Sequence, residues 1–175
     1  MSEPASIPPD GKDWTWVLSR PCPDCGFDAA RHQPRSTGEA IRATIPRWQA
    51  VLARPDAAVR ARPAEWSALE YGCHVRDVCE VFAGRLSAMV DHDGAEFSNW
   101  DQDAVAIEKR YWVADPAQTS AEYVAEATAL ADAFDAVPND RWRHTGLRSN
   151  GSQFTVETLS AYLMHDFVHH LHDCA

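Results

Sequence analysis

Residues 162–173 read Tyr-Leu-Met-His-Asp-Phe-Val-His-His-Leu-His-Asp and place four of the chain's eight histidines within eight consecutive positions. The segment has helical periodicity, so it must pack one face while carrying an imidazole-rich flank. Val156, Leu159, Leu163, Phe167 and Cys174 form the apolar stripe. His165, His169 and His172 fall together on another face, with Thr158, Ala161 and Tyr162. His165 and His169 are one turn apart, so their rings can converge on one ion. His170 falls among the apolar positions, which makes it a second choice as a ligand. Two imidazoles are not a catalytic centre, which usually takes three protein ligands and keeps one position open. An isolated HxxxH is as readily a solvated polar face, so the remaining chain has to supply the third ligand.

The rest of the sequence reads as helices. A first helix is expected over residues 37–53, with Ser36 and Glu39 at capping-box spacing and Ile41, Ile45, Trp48 and Leu52 on its apolar side. Pro46 predicts a kink or break within it. A second helix is expected from near Pro63 to about residue 90, with a core stripe of Tyr71, Val75, Val78, Phe82, Leu86 and Met89. Ser67, Glu70, His74 and Val81 run along one flank of that stripe. There a histidine is more often a hydrogen-bonded core residue than a ligand. Residues 91–100 read as a loop, 101–113 as a shorter helix and 120–137 as another, with Thr119 and Glu122 at capping-box spacing. Asn150-Gly151 signals a small hairpin or an ordered loop before the last helix, which begins near Thr155. The expected fold is all-α: a four-helix bundle over residues 36–175 behind an irregular arm over residues 1–35.

The proline-rich arm contains Cys22-Pro23-Asp24-Cys25-Gly26, which resembles half of a zinc knuckle, but no second CxxC completes four thiolates. Cys22, Cys25 and His32 make an incomplete set. A redox pair and an ordered structural turn are the alternatives, the first without the strand-then-helix context that a thioredoxin-type motif needs. Five cysteines are an odd number, and Met1-Ser2-Glu3-Pro4 opens without a basic region or apolar run, so free thiols and a cytoplasmic location are expected.

The net charge of −10 repels phosphate backbones and anionic lipid, which argues against nucleic-acid and membrane-surface partners. No apolar run approaches the ~20 residues that a membrane span needs. A small-molecule substrate is the expected partner.

Residues 66–77, with Trp66, Ser67, Glu70, His74 and Asp77, resemble the WSxxExxxHxxD segment of the DinB-like (YfiT-like) metalloenzyme superfamily. His165-Asp166-Phe167-Val168-His169 resembles that family's HxxxH in the last helix. Asn99-Trp100-Asp101-Gln102-Asp103 and the segment 146–154 are similar to the actinobacterial branch, which adjoins mycothiol-dependent maleylpyruvate isomerases and mycothiol S-transferases. The resemblance implies a DinB-like bundle and a metal held by His74, His165 and His169. The isomerases carry Glu where this chain has His165, so the three-histidine set resembles the broader group.

Imidazole ligands imply a divalent transition metal, with zinc the first expectation and nickel or iron the alternatives. The implied activity is transfer of a metal-activated low-molecular-weight thiol, mycothiol, to a small electrophile. Hydrolysis by metal-activated water and a non-catalytic metal-binding bundle are the alternatives. His172 is a candidate acid/base, Glu70 and Asp173 are candidates to orient the imidazoles, and Arg148 is a candidate partner for a substrate carboxylate. A homodimer is an expectation from related proteins.

Overall fold

A computed structural model describes residues 7–9 and 11–175; Met1-Ser2-Glu3-Pro4, from which the lack of an export signal is read, lies outside them. Four long helices form the body: α1 (Thr37–Leu52), α2 (Ala68–Asp91), α4 (Pro116–Asp135) and α5 (Val156–Asp173). A short α3 (Gln102–Glu108) lies between α2 and α4. Both α1 and α2 pack against α4 and against α5, so the four helices close around one core. Trp48, Tyr123, Phe134 and Phe167 are buried there, each ring removing enough apolar surface from water to contribute roughly 1.5–3 kcal/mol. Among these groups Thr44 Oγ1 and Tyr123 Oη pair at 2.7 Å.

The apolar stripes face inward as their periodicity predicts, but several boundaries move for identifiable reasons. Pro46 sits inside a continuous α1, and Ser36 makes no capping hydrogen bond. The start of α2 is not Pro63 but Ala68. Ser67 caps it by accepting from the Glu70 amide, and the Glu70 carboxylate accepts from the Ser67 amide in return. That reciprocal pair satisfies two amides that a helix start leaves open. Helix α4 begins four residues ahead of the expected Ser120, because Asp115 accepts from the Gln118 amide and Pro116 fits the first turn. The helix expected over 101–113 ends at Glu108, and Arg110 takes a left-handed conformation (φ 51°) before one 3₁₀ turn, Tyr111–Val113.

The fold also contains a small sheet. Strands β2 (Thr145–Arg148) and β3 (Gln153–Thr155) form the antiparallel hairpin signalled by Asn150-Gly151. The segment read as a loop over 91–100 contributes β1 (Ala95–Phe97), parallel to β2, giving the order β1-β2-β3. Gly146 on β2 permits this layer to sit close, since a Cβ there would stand 2.6 Å from the Phe97 ring and 2.7 Å from Met89 Sδ. Thr155 then caps α5 through its bond from the Thr158 amide, which fixes the start of the histidine-bearing helix.

The described residues of the arm are irregular, with three short 3₁₀ turns, and lie along α5. The arm's own Val17 and Cys22 are buried. No helix among the described residues is long and apolar enough to cross a membrane.

Candidate metal centres

Helix α5 carries two ligand pairs at the same i, i+4 spacing, displaced from each other by one residue: His165 with His169, and Asp166 with His170. One residue turns a helix by about 100°, so the pairs point to different neighbours. His165 and His169 face the N-terminal arm. Asp166 and His170 face α2.

On the α2 side, potential ligand atoms of His74, Asp166 and His170 all lie within 4.8 Å of one another. His74 is fully buried, with its ring stacked on Trp100 at 5.4 Å and tilted against Trp66 at 5.3 Å. Both of its ring nitrogens lack a hydrogen-bond partner, and so does the buried Asp166 Oδ1. His74 Nε2 and Asp166 Oδ1 stand 3.5 Å apart, near enough to attract but making no hydrogen bond.

Burial alone would raise the Asp166 carboxyl. The imidazoles of His74, His170 and His165 outweigh that effect and hold it below the usual carboxylate range. The ring of His170 is 4.9 Å from that of His74, and its Nδ1 lies 2.9 Å from Asp173 Oδ2. With Nδ1–H donating to Asp173, Nε2 turns toward Asp166, 3.8 Å away. A buried polar atom left unpaired carries a cost; here His74 Nε2 and Asp166 Oδ1 converge, and a divalent cation would satisfy both.

On the arm side, Cys22, Cys25, His165 and His169 form a second group with ligand atoms within 4.8 Å of one another. Cys22 Sγ is 3.6 Å from His169 Nδ1. His165 is buried and its Nε2 has no hydrogen-bond partner. Burial, then the neighbouring His169, pushes His165 down to about 4, which keeps it neutral and able to donate a lone pair. Burial also lowers His169. All five cysteines are free thiols.

The ligands expected from the sequence are therefore distributed over two groups, His74 in one and His165 with His169 in the other. The partners that join them are Asp166 and His170 for His74, and the two arm cysteines for the HxxxH pair. The signal for the first was present in the sequence, since Asp166 and His170 repeat the spacing of His165 and His169. It is obscured because His170 lies on the stripe that a helical wheel reads as apolar. His32, considered with the cysteines, instead has Nε2 3.1 Å from both Thr37 Oγ1 and Ser160 Oγ.

Glu70 is buried beside the start of α2, where it binds Arg60 (Nε to Oε2 2.8 Å) and the Ser67 amide. Its contacts fix the helix that carries His74. His172 is exposed and lines a different hollow, with Arg54, Trp66 and Tyr71. Arg148 is buried on β2, held by Asn150 and Ser152 at 2.9 and 3.0 Å, and borders a cleft with Asn99 and Trp100 that shares Trp14, Gln102 and Tyr162 with the cleft over α5.

A cleft of about 260 Å³ opens directly over α5. His165, Asp166, His169, His170 and Asp173 form its floor, with Trp14, Tyr71 and Tyr162 among its walls.

A sequence profile of the DinB superfamily matches residues 39–174, most of the chain. The chain belongs to the DinB superfamily. Its structure is similar to that of YfiT from Bacillus subtilis, described as a probable metal-dependent hydrolase with an unusual four-helix bundle topology. The TM-score is 0.71 at 12% identity, covering 82% of this chain and 86% of YfiT. That likeness is one of fold. No curated protein sequence matches this one.

Proposed function

We propose that this DinB-superfamily chain is a metal-dependent enzyme acting on a small molecule, with His74, Asp166 and His170 as the protein ligands and hydrolysis as its reaction class. The observation that supports it is the convergence of two unpartnered buried atoms, His74 Nε2 and Asp166 Oδ1, 3.5 Å apart beside His170. Two imidazoles and one carboxylate are a ligand set used in catalytic zinc sites, which keep a position for water or substrate. Held by these three residues, a divalent ion would supply Lewis acidity toward water or a substrate oxygen.

The chain's own groups do the rest. Asp173 fixes the His170 tautomer, Trp66 and Trp100 keep His74 in a water-poor pocket, and the cleft over α5 admits a small substrate. Zinc suits the set, and iron or nickel fit the same donors.

Thiol transfer is the second reading, and the observation favouring it is Asp166. That residue places a carboxylate beside two histidines, the ligand type carried by the mycothiol-dependent isomerases that the sequence resembles. The same open position would accept a thiolate.

The test is metal analysis of the purified protein beside Asp166→Asn and His170→Ala, with ester and amide hydrolysis and thiol-dependent consumption of an electrophile assayed in parallel. Hydrolysis that needs metal and disappears in both variants is the expected result. Turnover that requires mycothiol would replace the first reading with the second. Undiminished metal content in both variants would remove the site.

A further inference from the structure

We propose a second metal site, separate from the catalytic one: a closed Cys2His2 zinc centre formed by Cys22, Cys25, His165 and His169 that clamps the N-terminal arm to α5.

The geometry of the arm is the first support. Cys22 and Cys25 lie on a tight turn in which the Gly26 amide donates to the Cys22 carbonyl at 2.9 Å and the Cys22 amide to the Phe27 carbonyl at 2.8 Å. Gly26 has φ 74°, the left-handed region that a side chain would strain. This turn brings two sulfurs from one short loop into the same group as the two imidazoles, as a zinc knuckle requires. The other two ligands come from the HxxxH pair of α5.

Distance is the second support. Zinc bonds of about 2.3 Å to sulfur and 2.0–2.1 Å to nitrogen, at tetrahedral angles, place neighbouring S and N ligand atoms about 3.6 Å apart. Cys22 Sγ and His169 Nδ1 are separated by 3.6 Å. A direct thiol–imidazole hydrogen bond would also bring two atoms together, but it would not gather four donors within 4.8 Å. Nor would it account for the buried, unpartnered Nε2 of His165.

The environment is the third. Trp14 covers both imidazoles, with ring centroids 5.5 Å from His165 and 5.0 Å from His169, and Phe27 stands 5.9 Å from His165. Asp173 Oδ1 lies 3.8 Å from His169 Nε2, on the side of the ring away from Cys22. Two thiolates and two neutral imidazoles balance the dication, fill a tetrahedron and leave no position for substrate. That is the donor set of a structural zinc rather than a catalytic one. Binding replaces the two thiol protons, released to solvent, by two Zn–S bonds.

The consequence is mechanical. Trp14, carried by the clamped arm, is also a wall of the cleft over α5. The centre would hold that wall in place.

The full-length protein, stripped of metal and reloaded with cobalt(II), tests this directly. A sulfur-to-cobalt charge-transfer band is expected in the wild type and in His170→Ala, and its loss is expected in Cys22→Ser/Cys25→Ser. Zinc-loaded wild type should hold one equivalent more than that double variant and should protect two thiols from alkylation until a chelator is added. Absence of the band in the wild type, its persistence in the double variant, or a Cys22–Cys25 disulfide in the metal-loaded protein would each overturn the proposal. Because the wild-type spectrum and thiol count carry the test, a poorly folding variant does not obscure it. The catalytic assignment fails independently, in His170→Ala.

Discussion

The two sides of α5 use one construction for different chemical ends. Toward α2 the helix offers a carboxylate and an imidazole to His74, a three-donor set, and the cleft over α5 is lined by both helix pairs, Asp166 with His170 and His165 with His169. Toward the arm it offers two imidazoles to two sulfurs, a four-donor set covered by Trp14 and Phe27. The difference lies in the number and softness of the donors. Three mixed N and O donors leave a position for chemistry, whereas four N and S donors complete a tetrahedron. Spacing along the helix is the same for both, so spacing alone does not distinguish a reactive centre from a structural one.

The sharpest way to break this contrast is to remove one imidazole from each side. His74→Ala should lower turnover by about 10²-fold or more, the loss expected when a Lewis acid contributing several kcal/mol is removed. It should leave the sulfur-to-cobalt band intact. His165→Ala should instead weaken that band and lower the melting temperature, with ~2 kcal/mol corresponding to ~4–8 °C for a chain of this size. Assays, cobalt spectra and thermal melts on both variants separate the sites. Identical profiles would mean that the seven side chains serve a single centre.

Asp173→Asn probes the junction, because Asp173 hydrogen-bonds His170 and lies 3.8 Å from His169. Loss of an orienting carboxylate typically costs 10–100-fold in metal affinity. The shorter contact is to His170, so competition titrations with a chelator should show the larger loss at the centre beside α2. An equal loss at both would show that Asp173 supports the two centres alike.

The smallest effect is expected at Glu70. It is held below its ordinary value of 4.5; burial opposes this, and Arg60 and the Ser67 amide and hydroxyl outweigh burial. A depressed carboxyl contributes stability that is present above the unfolded value and is lost as pH falls through the folded one. Glu70→Gln should therefore destabilise the protein at neutral pH by ~2 kcal/mol and flatten the acid limb of its stability curve, with metal content unchanged. A loss of metal would instead connect Glu70 to His74.

Much of the frame was readable from residue patterns because each element declares itself locally. The stripes on α1, α2, α4 and α5, the Asn150-Gly151 hairpin and the Thr155 start of α5 depend on neighbours a few positions away. The helix starts at Ala68 and Pro116 were displaced because several residues nearby have capping chemistry, and only Ser67 and Asp115 accept the bond. Strand β1 exists by pairing with β2 some fifty positions on, which no local signal records.

The centres show the same division. His74, His165 and His169 are visible as ligand types, but their grouping depends on which helix face meets which neighbour. A helical wheel treats the inward stripe as apolar, so it sets His170 aside where the inward face becomes a polar pocket. The cysteine turn was visible as half a site, and its completion lies more than a hundred residues away.

The one-residue offset on α5 has a genetic corollary. Inserting or deleting a single residue between Thr155 and His165 would rotate all four ligands by about 100° relative to the helix start. The softer pair would move toward α2 or both pairs would leave their partners, and no compensating change at one centre alone could restore the other. The two centres therefore share a single reading frame in three dimensions. Length variation within this family member should be tolerated in the hairpin and in the arm outside the Cys22–Cys25 turn, but not in the ten residues that lead into its histidines.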